Sequence, residues 1–354
     1  MFIRRERCSR EVQTAISSRR KIISLLLCLL MVLSLAGCSK PAQSGDASQD
    51  EQAASRIIDY RIADKEEGTE LLLANKEYYD GFTQNDLEYR MHEHGAKMED
   101  YLAFSKEQVL DFTDEHKAIV DKYVGMLEET IEERGYKLPE LDQIVYICTT
   151  MLEECDVAAY THGTQIYIDN EIFDGAVSGE RDDSYMKFLF AHELFHCLTR
   201  SDPEFREEMY KIIHFTVGDK DYKLPPSVEE YFISNPDVEH HNSYATFMID
   251  GEPVDCFTAF VTTKHMENKE DRFFDYGTTA LVPVDGSDRY WLPEDASNFD
   301  EVFGRNTGYV IDPEECLADN FGNLLTYGMD GPDGKGYPDP EIVQAIDDYL
   351  KKAK

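Results

Sequence analysis

Basic residues are scarce in this chain. It carries 35 Lys and Arg against 71 Asp and Glu in 354 residues, a formal net charge of −36. So acidic a chain argues against a nucleic-acid partner and against direct adhesion to an anionic membrane. The acidity itself reads as solubility. Paired cysteines are also missing. Beyond Cys38 five remain, Cys148, Cys155, Cys197, Cys256 and Cys316. The number is odd, and the spacing fits neither a disulfide framework nor a zinc finger, so buried free thiols are expected. There is no internal repeat. The apolar run "IISLLLCLLMVLSLA" near the N-terminus has only fifteen residues, too few to span a bilayer comfortably.

That run does have a context. Residues 1–21 hold seven Lys and Arg and two acidic residues, and the run ends in Gly37-Cys38. A charged stretch, a short apolar stretch and then small residues read as an export signal. Leu35-Ala36-Gly37-Cys38 resembles the bacterial lipobox, which implies cleavage before Cys38 and lipidation of its thiol. The other reading is an uncleaved membrane anchor. Several acyl chains together anchor stably where one is marginal, so the expected location is the extracytoplasmic side of the cell membrane. Residues 39–56, "SKPAQSGDASQDEQAASR", are small and polar and read as a flexible tether after the lipid. Without residues 1–37 the chain keeps 28 basic and 69 acidic residues, so the lipid must do the holding.

The remaining ~300 residues suffice for one large domain or two small ones. Residues 57–140 read as mostly helical. Ile119, Val120, Tyr123, Val124, Leu127 and Ile131 fall at helical spacing, closed by Gly135 and Pro139. The period then changes. Residues 143–150 and 157–169, broken by Gly163, are rich in β-branched and aromatic residues and read as strands. Residues 184–200 form an apolar, buried helix that Ser184 can cap, and Asp202-Pro203 opens another. The stretch 225–300 is mixed, with strand-like runs at 244–250 and 280–284. Asp312-Pro313 opens a helix over 312–328, and Asp339-Pro340 a last one. The Asp-rich 329–340 lacks EF-hand spacing and reads as a turn-rich loop. The fold class is α+β.

The histidines carry the chemistry. In "AHELFHCLTR" (191–200), His192 and His196 are four residues apart, so one helix face presents both imidazoles to one point. Glu193 lies within reach of a metal-bound water. This is the HExxH arrangement. Two imidazoles and a carboxylate in an otherwise apolar helix are costly unless they share a partner, which favours a metal over an ordinary helix pair. Zinc takes nitrogen and anionic ligands and, in a catalytic site, keeps one position for water. A third ligand at Asp202 would follow the HExxHxxGxxH pattern, but Thr199 replaces the glycine that turns the chain back. Asp202 serves better as a helix cap.

A more distant third ligand is available in "PEECLADNF", where Glu315 and Asp319 again share a helix face. Here the sequence resembles the gluzincin, or thermolysin-like, branch of zinc metallopeptidases, in which a later helix supplies Glu in an ExxxD pattern. The resemblance implies Glu315 as third ligand and Asp319 as the carboxylate that fixes a ligand histidine. It implies a zincin-like catalytic domain over 141–354, with a small sheet, an active-site helix and a helical C-terminal part. One Zn²⁺ per chain and a peptide or protein substrate follow, with Glu193 as general base. Two features depart from the pattern: Glu314 stands where thermolysin-like enzymes have Asn, and 119 residues separate His196 from Glu315. The competing reading makes Glu315 part of a capping box opened by Asp312. The chain is also similar to bacterial lipoproteins with a zincin-like domain.

Zinc peptidases generally need a donor for the developing oxyanion. His240, His241 and Tyr244 lie between the two ligand helices, and His241 and Tyr244 are the expected catalytic pair; a polar surface loop is the alternative. Tyr160 and His162 precede the histidine helix on a strand, and His162 reads as structural. Two other functions stay open: a binding module on a zincin scaffold without turnover, and a zinc amidase acting on cell-wall material.

Overall fold

The structure is a computed structural model and describes residues 56–352. The export segment, Cys38 and nearly all of the tether lie outside the described residues. Both strand segments read from the sequence form, and they build one mixed sheet. Its strands are β1 (Tyr60–Ile62), β2 (Val109–Leu110), β3 (Ile144–Thr149), β4 (Ala159–His162) and β5 (Gln165–Asp169). The order is β1-β3-β5-β4, with β2 joined to β3. β1 and β5 run parallel to β3, whereas β2 is antiparallel to β3 and β4 to β5. A strand has two edges and β5 takes one of β3's. β1 and β2 therefore share the other, β1 along Ile144–Tyr146 and β2 along Cys148–Thr149. Position 140 is consequently no boundary between bodies: the segments on either side share this sheet and belong to one compact unit.

The sheet is buried on both faces. Ile144, Tyr146 and Cys148 of β3 join the main core with Ile166 and Ile168; Val145 and Ile147 face a smaller core with Leu72, Tyr160 and Tyr167. Burial on both sides is why "IVYICT" shows no polar alternation. β4 and β5 form a hairpin in which His162 pairs with Gln165. The two-residue turn puts Gly163 at φ +56°, a conformation that glycine adopts without strain.

Helices cover the main face. Asp114–Arg134 is capped by Thr113, whose side chain accepts from the His116 amide, and closes on Gly135 in the left-handed region. The histidine helix spans Asp183–Ser201. Its cap is Asp182, not Ser184: the Asp182 carboxylate accepts from the Tyr185 amide. A cap residue must sit just outside the helix to reach the third amide, and Ser184 is already inside it. Asp202 behaves as expected, accepting from the amides of Glu204 and Phe205 at the start of Pro203–Ile212. The carboxylate helix, Pro313–Tyr327, is opened by Asp312 and runs beside the histidine helix. Phe195 and Phe321 meet across the seam at 5.5 Å. A side chain on Gly322 would come within 3.0 Å of the Phe188 ring and 3.3 Å of its backbone oxygen, so glycine sets this close approach. The last helix, Pro340–Lys352, begins where the sequence places it.

A second sheet goes beyond the expected single one. β6 (Thr216–Val217), β7 (Ser243–Ile249), β8 (Glu252–Thr262) and β9 (Gly277–Pro283) form an antiparallel sheet in chain order. β8 joins the two strand-like runs through a tight turn at Asp250-Gly251, where φ is +52° and +83°. No described helix is long and apolar enough to cross a membrane.

Candidate metal centre

The helical repeat places His192 and His196 on one face, buried at 3% and 0% exposure. The carboxylate helix meets that face. Glu315 Oε2 lies 3.2 Å from His192 Nε2 and 3.7 Å from His196 Nε2. Ligand atoms about 2.0–2.1 Å from a tetrahedral zinc stand roughly 3.3–3.5 Å apart, so these separations match a three-ligand set. Behind the rings, Asp319 Oδ1 is 3.1 Å from His192 Nδ1, and Glu314 Oε1 is 3.1 Å from His196 Nδ1. An ionised carboxylate only accepts, so each Nδ1 carries a proton and each Nε2 turns toward Glu315. Ligand histidines are commonly oriented in this way. The orienting carboxylates are themselves held. The Thr307 hydroxyl donates to Asp319, and the hydroxyls of Thr199 and Tyr210 donate to Glu314.

The charge in this pocket is lopsided. Burial raises the carboxyl of Asp237, and the nearby charges of Glu193 and Glu315 push it further, well above the usual range. Burial also raises Glu315, but its bond to His192 and the charge of His196 outweigh that and hold it low. Burial opposes charge on His192, yet Asp319 and Glu315 hold its pKa well above normal. Three carboxylates thus converge on two imidazoles. His196 Nε2 is buried with no hydrogen-bond partner. An orphaned ring nitrogen beside converging carboxylates fits a cation, which satisfies the nitrogen and relieves the carboxylate repulsion together. His192, His196 and Glu315 each offer an atom within 4.8 Å of the others.

Glu193 points to the same space. Its Oε2 accepts from the Thr161 hydroxyl at 2.7 Å, which ties it to β4. Asn235 donates its side-chain amide to Glu315 Oε1, and the Tyr309 hydroxyl donates to the same oxygen at 3.3 Å. The Tyr309 ring stacks on His192 with centroids 6.3 Å apart. Glu315 is therefore not in a capping box; Asp312 caps through the Glu314 amide alone.

The expected pair of oxyanion donors makes its contacts elsewhere. Tyr244 sits on β7 opposite Thr216 and packs its ring against Tyr222 at 6.3 Å. His241 lies between the rings of Phe232 and Phe257 at 5.5 and 6.2 Å. No hydrogen bond or ring contact joins either to His192, His196, Glu193 or Glu315. Pairing within the second sheet fixes Tyr244, whereas His241 precedes β7 and its carbonyl accepts from the Tyr222 amide. The tyrosine beside the cluster is Tyr309, which sequence order did not single out. His162 is packed among Tyr78, Tyr160 and Tyr167, and burial pushes its pKa down to about 3. Cys197 and Cys316 are buried free thiols.

Sequence reasoning also missed Glu314, Thr161 and Asp237. For Glu314 a signal existed. Neighbours on a helix point about 100° apart, so a Glu beside the ligand Glu can serve the other histidine. Asp237 comes from an irregular segment and had none. Compared with protein-family models, curated proteins and solved structures, the chain matches nothing.

Proposed function

We propose that this chain is a single-zinc metallopeptidase of gluzincin type with a zincin-like catalytic fold, held outside the cell membrane by lipid on Cys38. The observation that carries the reading is the pair of imidazoles whose Nδ1 atoms are both tied to carboxylates while both Nε2 atoms face Glu315. An ordinary buried histidine pair has no need of two orienting carboxylates and a third one in front.

His192, His196 and Glu315 hold the ion in this reading, and Asp319 and Glu314 fix the tautomers of the two rings. Bound there, zinc would supply a water of lowered pKa and would polarise a carbonyl beside it. Glu193 takes the proton of the attacking water and returns it to the leaving amine, with Thr161 fixing the angle of its carboxylate. Tyr309, with its hydroxyl against Glu315, is the available donor to the developing oxyanion. β4, antiparallel at the end of its sheet, is the strand along which an extended peptide can pair.

The test is metal content of the wild-type chain beside Glu315→Ala and Glu193→Gln. The expected result is about one zinc in wild type and in Glu193→Gln, and little in Glu315→Ala. Peptide hydrolysis should fall by roughly 10²–10⁴ in Glu193→Gln. A folded wild type that holds no zinc would sink the reading and leave a binding module as the better account.

A further inference from the structure

The segment Ser234–Glu239 crosses the front of the cluster, and every hold on it has a function-like position. It begins at β8, where the Ile233 amide donates to Phe260 O at 2.9 Å. Ser234 is clamped next: its amide donates to Asp86 Oδ1, and Arg90 donates to its carbonyl, each at 2.7 Å. Asn235 then donates to Glu315. Asp237 accepts from the Thr161 amide at 2.7 Å, and Glu239 accepts from the Gly163 amide at 2.8 Å. Arg200 steadies this end, with an ion pair to Glu239 at 2.9 Å and a bond to the Asp237 carbonyl at 2.8 Å.

The spacing is informative. Thr161 is on the outer edge of β4, and Gly163, two residues on, is in the turn that follows it. Asp237 and Glu239 are also two apart. The Asp237 carboxylate takes the β4 amide that the carbonyl of a paired peptide would take, and Glu239 takes the turn amide beside it. The same Asp237 reaches the cluster. Its Oδ1 is 3.9 Å from His196 Nε2, the nitrogen without a partner, and it groups with Glu193 and His196 within 4.8 Å. It therefore stands beside the three-ligand set, on the side of His196 that Glu193 also faces. On either side of the segment lies a cavity. One, of about 640 Å³, is lined by His162, Tyr78 and Tyr222; the other, of about 350 Å³, by Arg206 and Tyr210. Val238, Glu239 and His240 line both, so this segment is the wall between them.

We propose that Asn235–Glu239 is a built-in strap that blocks the site as a peptide would, with Asp237 in the fourth ligand position, and that an extended peptide gains the β4 edge only when the strap lifts. The inference rests on the metal reading above. Lifting joins the two cavities into one cleft along β4, and the clamp on Ser234 is the hinge end that stays. The strap lowers apparent affinity by the fraction of time it is open.

Two measurements on the full chain test this. The first needs no metal: amide hydrogen exchange at Thr161 and Gly163. Asp237→Ala should speed exchange at Thr161 and Glu239→Ala at Gly163, each about tenfold or more. The second uses Co²⁺-loaded chain and acetohydroxamate, a small bidentate metal-binding anion, followed by the visible Co²⁺ spectrum. Asp237→Ala should bind it about tenfold tighter than wild type, and Glu239→Ala, which leaves Asp237 in place, by a smaller factor in the same direction. Unchanged exchange in both variants overturns the strap whatever the metal does. Faster exchange with unchanged hydroxamate affinity overturns the blocking role. A wild type that takes up no Co²⁺ is seen in the metal content alone; it overturns the metal reading and this inference with it.

Discussion

Arg90 and His196 are both fully buried, and both stand among carboxylates. Around Arg90 everything is matched. Nη1 donates to Asp86 at 2.7 Å, and Nε and Nη2 donate to Glu154 at 3.1 and 2.8 Å. Nη2 also reaches the Tyr78 hydroxyl and the Ser234 carbonyl. The guanidinium lies 4.5 Å from the Phe82 ring centroid. Around His196 the matching stops short, with one ring nitrogen unpartnered and Glu193, Glu315 and Asp237 turned on one another. The two clusters share burial and residue types. They differ in that the cation of the first bonds its carboxylates directly, whereas Arg200 meets Asp237 only at its carbonyl and His196 Nε2 has no partner. A buried charge network closed on itself is scaffold; one left short of positive charge marks where something arrives from outside.

Breaking the closed network should cost most. Arg90→Ala leaves Asp86 and Glu154 buried without their cation, and about 3–5 kcal/mol of stability should be lost in denaturant titration. If the loss were under 1 kcal/mol, Arg90 would not be the keystone of that region.

Glu153 belongs to neither cluster and sharpens the contrast. It is 0% exposed, its Oε2 has no partner, and Tyr160 donates to Oε1 at 3.1 Å. Burial pushes its carboxyl up from 4.5 to about 7. The folded value lies above the unfolded one, so the native state favours the protonated form. Its stabilising contribution is complete below pH 4.5 and is lost as pH climbs to about 7. Glu153→Gln removes that slope, and at pH 8 it should stabilise the chain by at most about 3 kcal/mol relative to wild type. Parallel pH–stability curves for the two proteins would refute this.

The open cluster should respond in metal affinity rather than in fold. Asp319→Ala frees the His192 ring and should weaken zinc binding by about 10–100-fold, read by competition with a chromophoric chelator. An unchanged affinity would reduce Asp319 to a helix residue. The smallest effect is expected at Asp202, outside both clusters. Asp202→Ala removes one helix cap and should lower stability by about 1 kcal/mol with zinc content unchanged. Loss of zinc there would point to the alternative third ligand.

Much of the framework was legible because it obeys local rules. Helical spacing closed by Gly135, the β-branched run at 144–149, and the Pro-led starts at 203, 313 and 340 all depend on near neighbours. The pairing of Glu315 with the histidines was legible only through a family resemblance, since no local rule links residues 123 positions apart. The second sheet was half legible. Asp250-Gly251 is a strong hairpin signal, but Pro253, Asp255 and a long polar start obscured β8. Position between two ligand helices says nothing about depth: strand pairing holds Tyr244 in the second sheet, and His241 sits just before it. Asp237 was invisible for the opposite reason. Its segment has no period, and its place is set by one amide of a strand 76 residues earlier.

The seam at Gly322 has a consequence for how the molecule comes apart. The chain between the two helices forms a long excursion, and its ends are fastened twice, by the apolar zipper of Phe195 and Phe321 and by the polar cluster above it. A protease that nicks an exposed turn of the excursion would cut the covalent path and leave both fasteners in place. The nicked halves should then travel together through a sizing column. In the metal reading a chelator would loosen the polar fastener, and the bonds of His192 to Asp319 and His196 to Glu314 would stay with the zipper.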